Sequence, residues 1–219
     1  MPGTHAASRS RRWLTLALAT LATVTATLVV TTPAEATPPR IPAESTARRE
    51  LSSLTVADEG SMTGYSRDKF PHWITIEGKC DTRETVLNRD GTNLDIGTDC
   101  YPDSGSWYSP YDGATWTRAS DVDIDHVVPL AEAWRSGASS WTQSQRQNLA
   151  NELFYPQLIA VTDNVNQSKG DRDPTQWLPP SESYHCTYAK MWIHIKYHYD
   201  LTAQAEEKAV LRDLLDTCS

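Results

Sequence analysis

Two short stretches of this chain hold the residue types needed to hydrolyse a phosphoester. Asp123-Ile124-Asp125-His126 sets carboxylates beside an imidazole, and Asn166-Gln167-Ser168-Lys169 sets an amide and an ammonium three residues apart. Histidine is the side chain best suited to act as a general base near neutral pH. Carboxylate and amide oxygens are the hard ligands that Mg2+ accepts while it keeps several of its waters. An ammonium can neutralise charge on a phosphate oxygen. His126 is therefore the candidate base, Asp125 and Asn166 the candidate metal ligands, and Lys169 the candidate phosphate-stabilising cation.

These groups need elements to carry them. The run from Asp123 reads as a strand that ends at Pro129, because proline lacks the donor that a ladder needs. Leu158-Ile159-Ala160-Val161 is an apolar run long enough for one buried strand. Asp163 then stands where a helix N-cap belongs, and Gly170 where a helix stops. On such a helix Asn166 and Lys169 share a face. Neighbours on a strand point to opposite faces, so Asp125 and His126 can line one site only where the strand ends or bulges.

The chain has 219 residues. Residues 1–36 read as an export signal: a basic start with Arg9, Arg11 and Arg12, an apolar stretch, and the small-x-small site Ala34-Glu35-Ala36. Ser10-Arg11-Arg12-Trp13-Leu14 also resembles a twin-arginine signal, so export by the Sec or the twin-arginine route is expected. The mature form is expected to be secreted and free of the membrane. The leader carries three Arg and one Glu, so its loss moves the formal charge from −8 to −10. An acidic surface does not bind polyanions through bulk charge, so a nucleic-acid contact must rest on local cations and metal ions. The four cysteines, Cys80, Cys100, Cys186 and Cys218, suit an oxidising compartment. The local pairings Cys80–Cys100 and Cys186–Cys218 are favoured; there is no Cys-x-x-Cys spacing for zinc.

Residues 37–44 read as a flexible proline-rich lead-in, and 45–219 as a single domain with its core motif at 121–174. A helix is expected over Glu44 to Ala57. Tyr65 to Trp73 mixes aromatic and cationic residues, read as the rim of a core or a nucleic-acid contact. Residues 74–118 read as short strands and turns. Helices are expected from Leu130 to Ser136 and from Thr142 to Leu153. Two more close the chain, one with an apolar stripe of Tyr188, Met191, Trp192 and Ile195, the other with Leu211, Leu214 and Leu215. Arg135, Arg146 and Arg172 read as solvated charge or as a phosphate path. His194 and His198 are four apart and share a helix face, but no third zinc ligand is evident beside them; a zinc hydrolase is a third-rank reading.

Asp123-Ile124-Asp125-His126-Val127-Val128-Pro129-Leu130, followed some tens of residues later by Asn166-Gln167-Ser168-Lys169-Gly170-Asp171, resembles the HNH (His-Me finger, ββα-metal) endonucleases, and most closely their small exported actinobacterial members. The resemblance implies an α+β protein: a ββα-metal core, flanking helices and a disulfide-stapled C-terminal helical hairpin. It implies His126 as the water-activating base, Asp125 and Asn166 as ligands of a divalent ion (Mg2+, or Mn2+), and Lys169 on the phosphate. Asp123 is then a supporting carboxylate. The family's middle Asn, which braces the loop and orients the histidine, falls at Gln157, with Asn151 as a less suitable substitute. The implied activity is phosphodiester hydrolysis of DNA, and of RNA as a second substrate; no protein partner is evident. The acidic charge and the Gln157 departure leave an alternative: a catalytically silent secreted protein that binds nucleic acid or another partner on the same scaffold.

Overall fold

A computed structural model describes residues 1–4 and 37–218, so the expected export signal lies outside the described residues apart from its first four. The chain divides into two units, Met1–Thr32 and Pro33–Ser219, and every element below belongs to the second. In chain order these are α1 (Glu44–Ser53), β1 (Thr75–Glu77), β2 (Cys80–Asp81), α2 (Thr82–Asp90), β3 (Gly91–Ile96), β4 (Pro102–Tyr108) and β5 (Thr115–Trp116). Then follow β6 (Val122–His126), α3 (Leu130–Arg135), α4 (Gln143–Ala150), β7 (Leu158–Thr162), α5 (Asp163–Lys169), α6 (His185–His198) and α7 (Ala205–Leu215). The architecture mixes helices with three small antiparallel sheets: β1-β2, β3-β4-β5 and β6-β7.

The pair β6-β7 is the hinge of the packing. Its register sets Asp123 opposite Val161, Asp125 opposite Ile159 and His126 opposite Leu158. Every residue of β7 is buried. Ile159 and Val161 enter a large core under the helices, while Leu158 and Ala160 enter a second core with Val86, Leu87, Trp107, Val122 and Ile124. A strand buried on both faces has no polar positions to alternate, which is why this run is continuously apolar. β6 has one apolar face, Val122 and Ile124, and one acidic face, Asp123 and Asp125. α5 follows β7 without a connecting loop and ends at Gly170, whose φ of 56° lies in the left-handed region that glycine adopts without strain.

Both expected disulfides are present, Cys80–Cys100 and Cys186–Cys218. The second ties the first turn of α6 to the residues just beyond α7, so the C-terminal hairpin is stapled as expected. Tyr188, Met191, Trp192 and Ile195 are buried, as are Leu211, Leu214 and Leu215. Among the described residues no helix is long and apolar enough to cross a membrane.

Three local expectations differ. The region 74–118 contains a helix, α2, opened by a reciprocal capping box between Asp81 and Glu84. That Asp-x-x-Glu signature is visible in the sequence and outweighs the surrounding turn-formers. α5 begins with Thr162 as N-cap, so Asp163 is its first residue rather than its cap. The lead-in is packed rather than loose: Pro38 and Pro42 are buried, and Ile41 lies against the core.

Candidate active-site cleft

Asp125, His126 and Asn166 all line one cleft of about 180 Å3, at the C-terminal end of β6 and beside α5. The strand ends at His126, and its last two side chains leave from opposite faces. Asp125 points toward α5 and Tyr111; His126 points toward the end of α4 and Trp73.

His126 is buried, and its Nε2 lies 2.9 Å from the carbonyl oxygen of Ala150, the last residue of α4. A carbonyl only accepts, so Nε2 carries the hydrogen, and in the neutral ring Nδ1 keeps the lone pair. The acceptor is one of the carbonyls a helix C-terminus leaves unpaired. Burial is the main influence on the imidazole and drives its pKa down to about 3; the Ala150 contact pulls the other way, and Arg67, His72 and Lys169 lower it further. The ring is therefore neutral, with a free basic nitrogen, across the whole physiological range.

Asn166 donates from Nδ2 to Asp123 Oδ2 at 3.1 Å. The two residues match because α5 lies along β6: Asp123 meets Asn166, and Asp125 meets Lys169 three residues on. With its NH2 held by Asp123, the amide of Asn166 keeps its carbonyl oxygen as a hard acceptor on the cleft wall. Asp123 thus orients the Asn166 amide.

Lys169 does not sit where a phosphate-binding cation is expected. It is fully buried, and its Nζ contacts Asp125 Oδ1 and Oδ2 at 2.8 and 2.6 Å, the His126 carbonyl at 2.8 Å and the Val127 carbonyl at 3.0 Å. Its three protons are all engaged inside the protein. The physical reason is that the helix face it shares with Asn166 rests on the acidic face of β6. Lys169 pins α5 to the end of that strand. Asp125 in turn accepts from the Tyr111 hydroxyl at 2.7 Å. Burial raises the Asp125 carboxyl and lowers the Lys169 ammonium, and in each case the partner's charge opposes the shift. Carboxylate oxygens each offer two lone pairs, so Oδ1, which meets only Lys169, retains one.

Gln157 braces the chain just beyond β6. Its side chain accepts from Val128 N at 3.0 Å and donates to Val128 O at 2.8 Å, while its own carbonyl accepts from Val127 N at 2.7 Å. This clasps the two residues directly after His126 and fixes the strand end. Asn151 braces a different wall. Its Oδ1 accepts from Ile74 N at 3.2 Å and Thr82 Oγ1 at 2.7 Å, and its Nδ2 donates to Pro71 O at 2.7 Å. These contacts flank Trp73, held at a φ of 57°, where a bulky residue is strained. The Trp73 ring lies 5.5 Å from that of His126.

Arg67, in a 3-10 turn at Arg67–Lys69, is the arginine on the cleft wall. Within the Tyr65–Trp73 segment Phe70 is core, and Arg67 faces the cleft. Arg135 pairs with Glu132 and Glu59, Arg172 donates to Ser168 O, and Arg146 donates to the carbonyls of Lys69, Ala138 and Trp141. Arg67, Trp73 and Tyr111 were not singled out from the sequence as site residues, since nothing in spacing links them to Asp125 and His126.

The family described as GmrSD restriction endonucleases, C-terminal domain, matches residues 86–214, more than half of the chain. A relative from Arthroderma benhamiae, described as an uncharacterized secreted protein, is 63% identical over 199 residues, covering 90% of this chain and 98% of the relative. That relative is fungal, whereas the sequence resemblance pointed to actinobacterial proteins. The secreted description and the two disulfides both fit an oxidising, extracellular setting. No solved structure matches.

Proposed function

The chain belongs to the GmrSD restriction endonuclease C-terminal domain family, and on that premise we propose that it is a secreted, HNH-type, metal-dependent endonuclease acting on DNA, with RNA as a second substrate. The observation that carries the reading is His126: an imidazole fixed through Nε2 by Ala150, which leaves Nδ1 without a hydrogen, on a residue that lines the same cleft as Asn166 and Asp125. A base must be neutral to accept a proton, and burial holds this imidazole neutral; with its pKa at about 3 it is a weak base in the free protein, one that the negative charge of a bound phosphate would strengthen.

In this reading Nδ1 of His126 takes the proton from an attacking water. Trp73 limits the ring's motion and shields it from bulk solvent. Arg67 grips a backbone phosphate at the cleft mouth. Asn166 Oδ1 and the remaining lone pair of Asp125 Oδ1 are the oxygens that would hold Mg2+ or Mn2+, and two protein oxygens suit an ion that keeps its waters. When bound, such an ion supplies positive charge that stabilises the developing phosphorane. Lys169 is a positioning residue: it fixes Asp125 and the strand end.

The test is His126→Ala in a supercoiled-plasmid nicking assay with Mg2+ or Mn2+, on samples whose unfolding midpoint is measured alongside. Nicking should fall by about 10²- to 10⁴-fold, the usual contribution of a general base. Unchanged nicking would overturn the assignment. One observation favours a second reading: both Asp125 oxygens already contact Lys169. A silent binding protein would retain nucleic acid or another partner yet show no nicking with any divalent ion.

A further inference from the structure

A second group of metal-binding side chains lies away from the cleft. Glu50 on α1 and His194 and His198 on α6 offer ligand atoms that all lie within 4.8 Å of one another. His194 and His198 are one turn apart on the helix, and their rings are 4.3 Å apart between centroids. Glu50 comes from 144 residues earlier, and its two oxygens are 3.0 and 2.9 Å from His194 Nδ1. Glu50 and His194 are buried; His198 is exposed at the surface.

We infer that Glu50, His194 and His198 form a binding site for a borderline transition-metal ion, with Zn2+ the best match. Two imidazoles and one carboxylate are a zinc donor set, and imidazole favours Zn2+, Cu2+ or Ni2+ over Mg2+. In a tetrahedral zinc site neighbouring ligand atoms stand about 3.4 Å apart, given bonds of about 2.0–2.2 Å. The Glu50 oxygens and His194 Nδ1 stand somewhat closer, at 2.9–3.0 Å, so an ion would replace their hydrogen bond with only a small parting of the two side chains. His198 has the freedom to close the rest, being on the surface. Its ring stacks on Tyr155 at 4.0 Å between centroids and stands at 77° to the His194 ring. A cavity of about 210 Å3 beside His198, lined also by Trp141, Asn148 and Tyr199, leaves room for a water as fourth ligand. The site joins the first helix of the described domain to the helix that the Cys186–Cys218 bridge anchors at its other end. Its role is to fasten α1, whose contacts to α6 are otherwise made by side chains such as Ala47 and Leu51.

The experiment uses the full mature protein, stripped with chelator and titrated with Zn2+ and, separately, with Co2+. One equivalent should bind, Co2+ should give the visible absorption of a tetrahedral site, and the unfolding midpoint should rise with free Zn2+ as ligand linkage requires. His198→Ala, at a surface position, should keep the fold. It should weaken binding by more than the 10- to 100-fold, roughly, that loss of an outer-shell partner costs. It should leave Mg2+-dependent nicking unchanged. His194→Ala should behave alike in the metal titration. Absence of stoichiometric Zn2+ binding, or equal affinity in His198→Ala, would overturn the inference. Neither result touches the His126 assignment, which is read by nicking.

Discussion

Lys169 and Lys196 are both sealed from solvent, yet they keep different company. Lys169 faces one carboxylate, Asp125, with the Tyr111 hydroxyl and two main-chain carbonyls beside it. Lys196 faces two, Glu132 at 2.8 Å and Glu207 at 2.7 Å, and Glu132 is also held by Arg135 and Ser136. Burial pushes both Asp125 and Glu132 upward. The charges and donors around Glu132 win, so it falls below its ordinary value, whereas Asp125 remains above its own. Glu207 shares Lys196 but stays raised by its burial and by the facing Glu132, so the balance of nearby charge against burial, not burial alone, sets the sign. The better-compensated cluster packs α3, α6 and α7 together. The other lies at the cleft, on the wall that Asp125 lines.

The sharpest way to break the comparison is to remove each lysine. Lys196→Met takes the shared cation from two buried carboxylates, leaving Glu132 with Arg135 but Glu207 with no cation among the described residues, and should destabilise the protein by about 5 kcal/mol in denaturant unfolding, the upper end for a broken buried pair. Lys169→Met strands only one and should cost about 3 kcal/mol. It should also depress nicking per folded molecule, which Lys196→Met should not. Equal losses in the two variants would show that partner number does not matter. Next in size is Gln157→Ala, which leaves the Val128 N–H and carbonyl unpaired in a buried site. A loss of about 2 kcal/mol is expected, together with slower nicking as the end of β6 loosens.

The smallest effect is on pH dependence. Glu132 is held below its ordinary 4.5 in the fold, so its contribution to stability is complete above that pH and is lost as the pH falls below it. Glu132→Gln should therefore flatten the acid limb of the stability curve below pH 4.5, by at most about 1.4 kcal/mol per pH unit. Asp125, shifted the other way, should contribute no such limb: any stability linked to it is present below its ordinary 3.8 and declines as the pH rises through its folded value. Urea titrations across this range would show the difference.

These contrasts also mark what could be read in the sequence. The apolar run of β7 and the helix stopped by Gly170 are local patterns, and each appears within a residue or two of its expected bounds; the strand expected to end at Pro129 ends three residues earlier, at His126. Both disulfides follow from proximity along the chain. Asn166 and Lys169 were correctly assigned to one helix face, but spacing cannot say what that face rests on. It rests on Asp123 and Asp125, which turns Lys169 inward. The third ligand beside His194 and His198 was missed for the same reason: Glu50 arrives through helix packing, with no trace in sequence distance. The α2 helix is a different case, since its capping box was in plain view among turn-forming residues.

Asn151 has one more consequence. Through Pro71, Ile74 and Thr82 it couples α4, inside the family-matched stretch, to a segment that precedes that stretch. His126, Asp125 and Asn166 lie within residues 86–214, while Arg67 and Trp73 lie before them. A polypeptide trimmed to the shared portion would keep the imidazole and the amide oxygen but lose the guanidinium and the indole. The imidazole and amide of the cleft and the guanidinium and indole beside them thus come from separate blocks of sequence, which Asn151, the Cys80–Cys100 bridge and the Arg135–Glu59 pair hold together.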